Sequence, residues 1–216
     1  LPAGASLNLN GNSVFSGQVI SEAQIPTLVF TPAANANGAN YASFTFSVWD
    51  NTNLTDLSPK TVTVNVTAVN DAPALATSST LIYTKGQAAT AINTGLTVTD
   101  MDSANLTGAT VQLTTNYVSG QDLLGFTDTA TITGSFNAST GTLTLTGVDS
   151  LANYQAALRA VTYQNTSATP ITLARTVLYQ VNDGSVANNL SNLLTSTITV
   201  ALPLTLNQPV SGAIGT

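Results

Sequence analysis

The chain of 216 residues contains no cysteine and no histidine. The first absence removes disulfides and thiolate chemistry, and the two together remove the usual ligands of zinc. Without histidine the chain also lacks the side chain whose charge changes near neutral pH. Histidine-based acid–base work and histidine-activated serine chemistry are therefore excluded. Lysine and arginine number 4 against 10 aspartate and glutamate, for a formal net charge of -6. So few cations cannot neutralise a run of phosphates, which argues against nucleic acid and anionic membranes as partners. No apolar run approaches the roughly 18 residues of a membrane-spanning helix. Nor is there a Gly-x-Ser-x-Gly, a phosphate-cradling glycine loop or a Ser-x-x-Lys. Glu22, Asp122 and Asp128 are isolated in sequence and form no evident carboxylate pair for glycoside hydrolysis. No enzymatic activity is expected.

Charge of either sign is scarce, at 6% of residues where about a quarter is usual. Serine, threonine and asparagine face solvent instead. Hydrophobic residues still make up 43%, enough to fill ordinary cores. Threonine and valine dominate the strand-like runs, and their β-branched side chains pack well on a pleated surface. The length admits one large β-domain or two small ones. The chain begins at Leu1 with no signal peptide in view, which reads as a fragment or a processed product.

The alternation of apolar and polar residues locates the strands. Leu7 to Asn12 runs into a tight turn, and Thr27 to Pro32 forms a second strand, followed by a loop from Ala33 to Asn40. In Ser43 to Trp49 the residues Phe44, Phe46 and Val48 share one face, with Trp49 on the other under a loop. Thr61 to Thr67 alternates most clearly. Further strands are expected at Leu81 to Tyr83, Gly95 to Thr99, Thr110 to Leu113, Thr142 to Thr146, Val161 to Tyr163, Thr176 to Val181 and Thr195 to Val200. Ser150 to Arg159 is the one helical candidate, capped by Ser150 or Asp149, with Leu151, Tyr154 and Leu158 at helical spacing.

One order of features occurs twice: an apolar or aromatic strand, an aspartate in a loop, then an alternating Thr/Val strand. Asp50 is that aspartate in the first copy and Asp183 in the second. Such repetition argues for tandem modules, and many short strands separated by Gly/Asn turns argue for sandwiches. The expected fold is all-β, with modules at 1–69 and 74–202, a linker at 70–73 and a tail at 203–216. The rare acidic residues gather at the junction. Asn70-Asp71-Ala72-Pro73 joins the segments, and Asp100-Met101-Asp102 follows. In an extended loop residues i and i+2 project to one side, so Asp100 and Asp102 can converge on one ion. Such oxygen ligands suit calcium, which takes six to eight oxygens from carboxylates, amides and backbone carbonyls. Each of these segments alone is also an ordinary turn.

Val69-Asn70-Asp71-Ala72-Pro73 between β-rich segments, the Asp100-x-Asp102-Ser103 that follows, and Phe30-Thr31-Pro32-Ala33-Ala34-Asn35-Ala36-Asn37-Gly38 resemble the cadherin-like tandem repeats of large bacterial surface adhesins of the RTX type. The resemblance covers nearly the whole chain. It implies two Ig/cadherin-like β-sandwiches, the first lacking N-terminal strands and the second carrying a short helix. It also implies Ca2+ between modules, with Asn70, Asp71, Asp100, Asp102 and Asp183 as ligands and Asp50 serving a preceding junction. The Asp-Arg-Glu motif of animal cadherins is absent; Asn35 and Asn37 stand where it would fall, which implies a less charged, weaker site. The implied role is a calcium-stabilised spacer or adhesion module outside the cell, whose partners are neighbouring modules of the same protein. Two other readings compete. In one, the chain is a subunit of an extracellular filament that self-associates by strand exchange, with Leu202, Leu204 and Leu206 adding to a neighbour's sheet. In the other, it is a carbohydrate- or protein-binding module using Trp49, Tyr41 and Tyr117.

Overall fold

A computed structural model of the chain describes residues 1–49, 54 and 56–204. The chain divides after Val69 into two units, Leu1–Val69 and Asn70–Thr216. Strands are the main regular structure of both.

Unit 1 comprises β1 (Ser6–Leu9), β2 (Asn12–Ser13), a 3-10 helix (Glu22–Thr27), β3 (Leu28–Thr31), β4 (Gly38–Phe46) and β5 (Lys60–Val66). Asn10 and Gly11 close the β1–β2 hairpin with φ of 50° and 82°, the left-handed backbone that this pair of residues tolerates best. One sheet has the order β2-β1-β3, and β4 and β5 form a separate ribbon. Strand β4 begins at Gly38, inside the segment expected as a loop. Strand β4 ends at Phe46, short of the strand expected to run to Trp49, and Phe44 is half-buried while Phe46 and Val48 are exposed. Trp49 is 58% exposed, not covered as its position suggested. The only buried apolar residues of this unit are Leu9 and Ala42, among the described residues.

Unit 2 comprises β6 (Ala74–Ala76), β7 (Thr80–Thr84), β8 (Thr90–Ala91), β9 (Thr97–Thr99), β10 (Asn105–Thr115), β11 (Asp122–Gly125), β12 (Thr133–Asn137), β13 (Thr142–Ser150), helix α1 (Leu151–Ala160), β14 (Thr162–Asn165), β15 (Arg175–Asn182) and β16 (Leu194–Ala201). A six-stranded sheet runs β12-β13-β10-β15-β16-β7, a three-stranded sheet runs β11-β14-β8, and β6 pairs with β9. All pairings are antiparallel except β16 with β7, which is parallel, with Ile198 opposite Leu81 and Val200 opposite Tyr83. Alternate residues of the long strands point inward. Val111, Leu113, Leu143, Leu145, Val177, Tyr179 and Ile198 from the large sheet join Leu124 and Tyr163 from the small one in a single core. Segment 202–204 is not in a strand, and the rest of the tail lies outside the described residues.

Helix α1 begins as expected: the Asn153 N–H donates to Ser150 Oγ at 3.2 Å. Tyr154, Ala157 and Leu158 are its buried face. The Tyr154 hydroxyl donates to the Gly147 carbonyl at 2.5 Å. Burial, with a smaller contribution from the Asp149 charge, pushes that phenol up to about 12. Gly147 has φ of 131°, and a Cβ there would sit 1.9 Å from the Thr131 carbonyl oxygen, so no larger residue fits.

The core also holds charge. Arg175 and Asp122, both fully buried, lie 3.3 Å apart between Nη2 and Oδ1. Arg175 Nη1 donates to the carbonyls of Ile171 and Leu173, each at 2.7 Å. Asp122 also accepts from the Tyr163 hydroxyl and Asn165 Nδ2, both at 2.6 Å, and from the Val118 N–H at 2.8 Å. These bonds tie β15 of the large sheet to β11 and β14 of the small one. Burial, then the Asp122 carboxylate, pushes the Tyr163 phenol up.

Asp122→Ala leaves the guanidinium buried without its counter-charge. The expected cost is about 3–5 kcal/mol, seen as a lowered urea midpoint for unit 2. Asp149 supplies a pH signature. Hydrogen bonds from the Thr131 hydroxyl, then Asn153 and the Ser150 N–H, hold its carboxyl below 3.8. Its contribution is thus present above the unfolded value and is lost as pH falls through the lower folded one. Acid titration below pH 3.8 should destabilise the native sequence more steeply than Asp149→Asn.

Candidate metal centre

The topology of unit 2 brings the segments that carry Asp71, Asp100, Asp102 and Asp183 to one end. Pairing of β6 with β9, with Ala74 opposite Thr99, places Asn70 to Pro73 alongside the loop that starts at Asp100. Strand β10 starts where its antiparallel neighbour β15 finishes, with Gly108 opposite Asn182. The loop from Asp183 therefore lies at the same end as the Asp100–Ser103 loop. Asp50 lies outside the described residues.

Two contacts join predicted residues from different segments. Asn70 Nδ2 donates to Asp183 Oδ2 at 2.8 Å, and the Asp71 N–H donates to Asp102 Oδ2 at 3.2 Å. The Asp100–Ser103 loop is a bend rather than an extended segment, contrary to the geometry on which convergence of Asp100 and Asp102 was expected. The cause is local: Asp100 Oδ1 accepts from the N–H groups of Asp102 at 3.1 Å and Ser103 at 2.9 Å. A short acidic side chain that bonds the backbone two residues ahead folds the chain over itself. The other oxygen, Asp100 Oδ2, is buried and has no hydrogen-bond partner. Among the described residues no three carboxylates form a cluster able to hold a metal by themselves. Any cation here would need amide and backbone oxygens as well, a donor set that calcium accepts.

The strongest polar grouping at this end is one the residue pattern only half announced. Ser185 Oγ donates to Asn70 Oδ1 at 2.7 Å, and Asn188 Nδ2 donates to the Asn70 carbonyl at 3.0 Å. Asn70 Nδ2 also lies 3.2 Å from the carbonyls of Ala187 and Asn188. Asn192 bonds both backbone groups of Leu75, accepting from its N–H at 2.8 Å and donating to its carbonyl at 3.0 Å. The loop thus holds residues 70–75 by side chains where a strand would use its backbone. The signal available beforehand was the density of asparagine between Asn182 and Asn192. Gly184, with φ of 87°, brings the loop against Thr107, where a Cβ would lie 2.5 Å from the threonine methyl.

Two of the three aromatic candidates pack against neighbours within their own units. Tyr41 meets Phe30 edge-on at 6.2 Å between ring centres. Tyr117 packs against the core of unit 2 and donates to the Ala138 carbonyl at 2.5 Å. Trp49 alone is exposed. No protein-family profile matches the chain, and no curated protein sequence matches it.

Asn70→Ala removes the amide that joins the start of unit 2 to the 183–189 loop and leaves the Ser185 and Asp183 groups short of a partner. It should cost about 1–3 kcal/mol. Hydrogen exchange should show faster amides in that loop and in residues 70–75, with β10 and β13 unchanged.

Proposed function

We propose that the chain is a pair of cadherin-like β-sandwich modules that serve as a calcium-stabilised spacer in a bacterial extracellular adhesin. The observation that carries this reading is the buried, unpartnered Asp100 Oδ2. A desolvated carboxylate oxygen without a donor is costly, and a cation is the partner that would remove the cost. The Asp102 N–H donates to the other oxygen of the same carboxylate, and Asp102 Oδ2 in turn accepts from the Asp71 N–H. Asp100, Asp102 and Asp71 would supply carboxylates, while Asn70 and Asp183 would fix the position of the chain around them. Bound calcium would neutralise these like charges and stiffen the start of unit 2.

Melting unit 2 in calcium and in chelator tests the proposal. An ion present at 100 times its Kd stabilises the folded state by about 2.7 kcal/mol. For a chain of this size that is a rise of roughly 5–10 °C in Tm. Asp100→Asn should lose most of the rise while keeping the bend, since an amide oxygen can still accept from Asp102 and Ser103. A Tm indifferent to calcium in the native sequence would overturn the reading.

A further inference from the structure

Unit 1 repeats the second half of unit 2. The β4–β5 ribbon has the register of β15–β16: Ala42 faces Val64 and Phe44 faces Val62, as Arg175 faces Ile198 and Val177 faces Ser196. Asp50 follows Ala42 at the same distance in sequence as Asp183 follows Arg175. Ahead of the ribbon, Leu7-x-Leu9-x-Gly11 matches Leu143-x-Leu145-x-Gly147, and Leu28-Val29-Phe30 matches Val161-Thr162-Tyr163. A helix lies between these two stretches in each unit, the 3-10 helix Glu22–Thr27 in one and α1 in the other.

What differs is the surroundings. In unit 2 the outer edge of β15 is bordered by β10 and that of β16 by β7. The second sheet lies over the ribbon, and Val177, Tyr179 and Val181 are at most 1% exposed. The matching residues of unit 1 are Phe44, Phe46 and Val48, of which the last two are 44% and 59% exposed. Among the described residues no strand borders either outer edge of β4–β5. The partners of β1 and β3 differ as well. Their counterparts β13 and β14 lie in different sheets, paired with β10 and β11 respectively, whereas β1 and β3 pair with each other, Asn8 opposite Val29.

We propose that unit 1 is an acceptor half-module that binds a polypeptide segment patterned like residues 74–125. The occupant's chemistry follows from unit 2. One long strand runs antiparallel to β4 and turns alternate apolar residues inward, as Ala109, Val111 and Leu113 do. One short strand runs parallel to β5, as Leu81 and Tyr83 do beside Ile198 and Val200. On binding, β1 exchanges β3 for the long strand, and β3 moves to the opposite layer. Backbone ladders supply the attachment, and the apolar face of Phe44, Phe46 and Val48 supplies selectivity for alternating apolar residues. The proposal does not depend on whether the acidic end of unit 2 binds calcium.

The test is the full chain carrying a second copy of residues 70–126 fused ahead of Leu1, followed by hydrogen exchange and mass spectrometry. Segments 38–46 and 60–66 should exchange at least about tenfold more slowly than in the unextended chain, with unit 2 unaltered. A disulfide between Asn8→Cys and Val29→Cys, which fixes β1 on β3, should cancel the slowing, and reduction should restore it. Unchanged exchange in β4 and β5 overturns the proposal, as does slowing that survives the disulfide. Slowing in the unextended chain that grows with protein concentration overturns it too, because the occupant is then a second copy of the chain.

Discussion

A two-stranded ribbon of alternating residues cannot satisfy itself. Its outer edges carry unpaired N–H and C=O groups, and its apolar face has nothing to lie on. In unit 2 the β15–β16 ribbon meets both needs at once. Neighbours on either edge extend the ladder, and the small sheet closes over the face. The buried Arg175–Asp122 pair then fastens the two layers at a defined offset, since a guanidinium and a carboxylate tolerate less sliding than aliphatic side chains. In unit 1 the same ribbon, in the same register, has no bordering strand among the described residues, and its cover is partial: Tyr41 and Phe44 are half-buried while Phe46 stays exposed. The contrast between the units is therefore one of surroundings, not of ribbon design.

Asparagine takes over tasks that charged residues perform in most proteins. The side chains of Asn70, Asn188 and Asn192 join the start of unit 2 to the 182–192 loop through bonds to side chains and backbone alike. Asn93, wholly buried, donates to the Thr77 carbonyl at 2.7 Å. An amide both donates and accepts, and it carries no net charge to desolvate. A surface with so few ions can hold its loops in place this way without depending on ionic strength.

The β-character of the chain was legible because the Thr/Val alternation of β5, β13 and β16 has one structural solution, and the spacing of Tyr154 and Leu158 after Ser150 likewise pointed to a helix. The short strands β6, β8, β11 and β12 were not legible. They are two to five residues long, and their pairing is decided by distant partners such as Asn165 opposite Asp122. The buried Arg175 gave no warning either, since a lone arginine at a strand start is usually exposed. At the acidic end, the loop aspartates and Asn70 stood out in the sequence, while the bonds that join Asn70 to Asp183 and Asp71 to Asp102 depend on strand pairing and were not legible. Nor was the turned-in Asp100, because a carboxylate that accepts from the N–H groups of its own loop leaves no mark in residue spacing.

The parallel pairing of β7 with β16 has a mechanical consequence. Strands that run side by side in one direction put the start of the first and the finish of the second at opposite ends of the ladder. Tension between those points is directed along the strands. The rungs from Thr80–Thr197 to Thr84–Ala201 then share the load and must yield together, instead of peeling apart one by one as in a hairpin pulled from its open end.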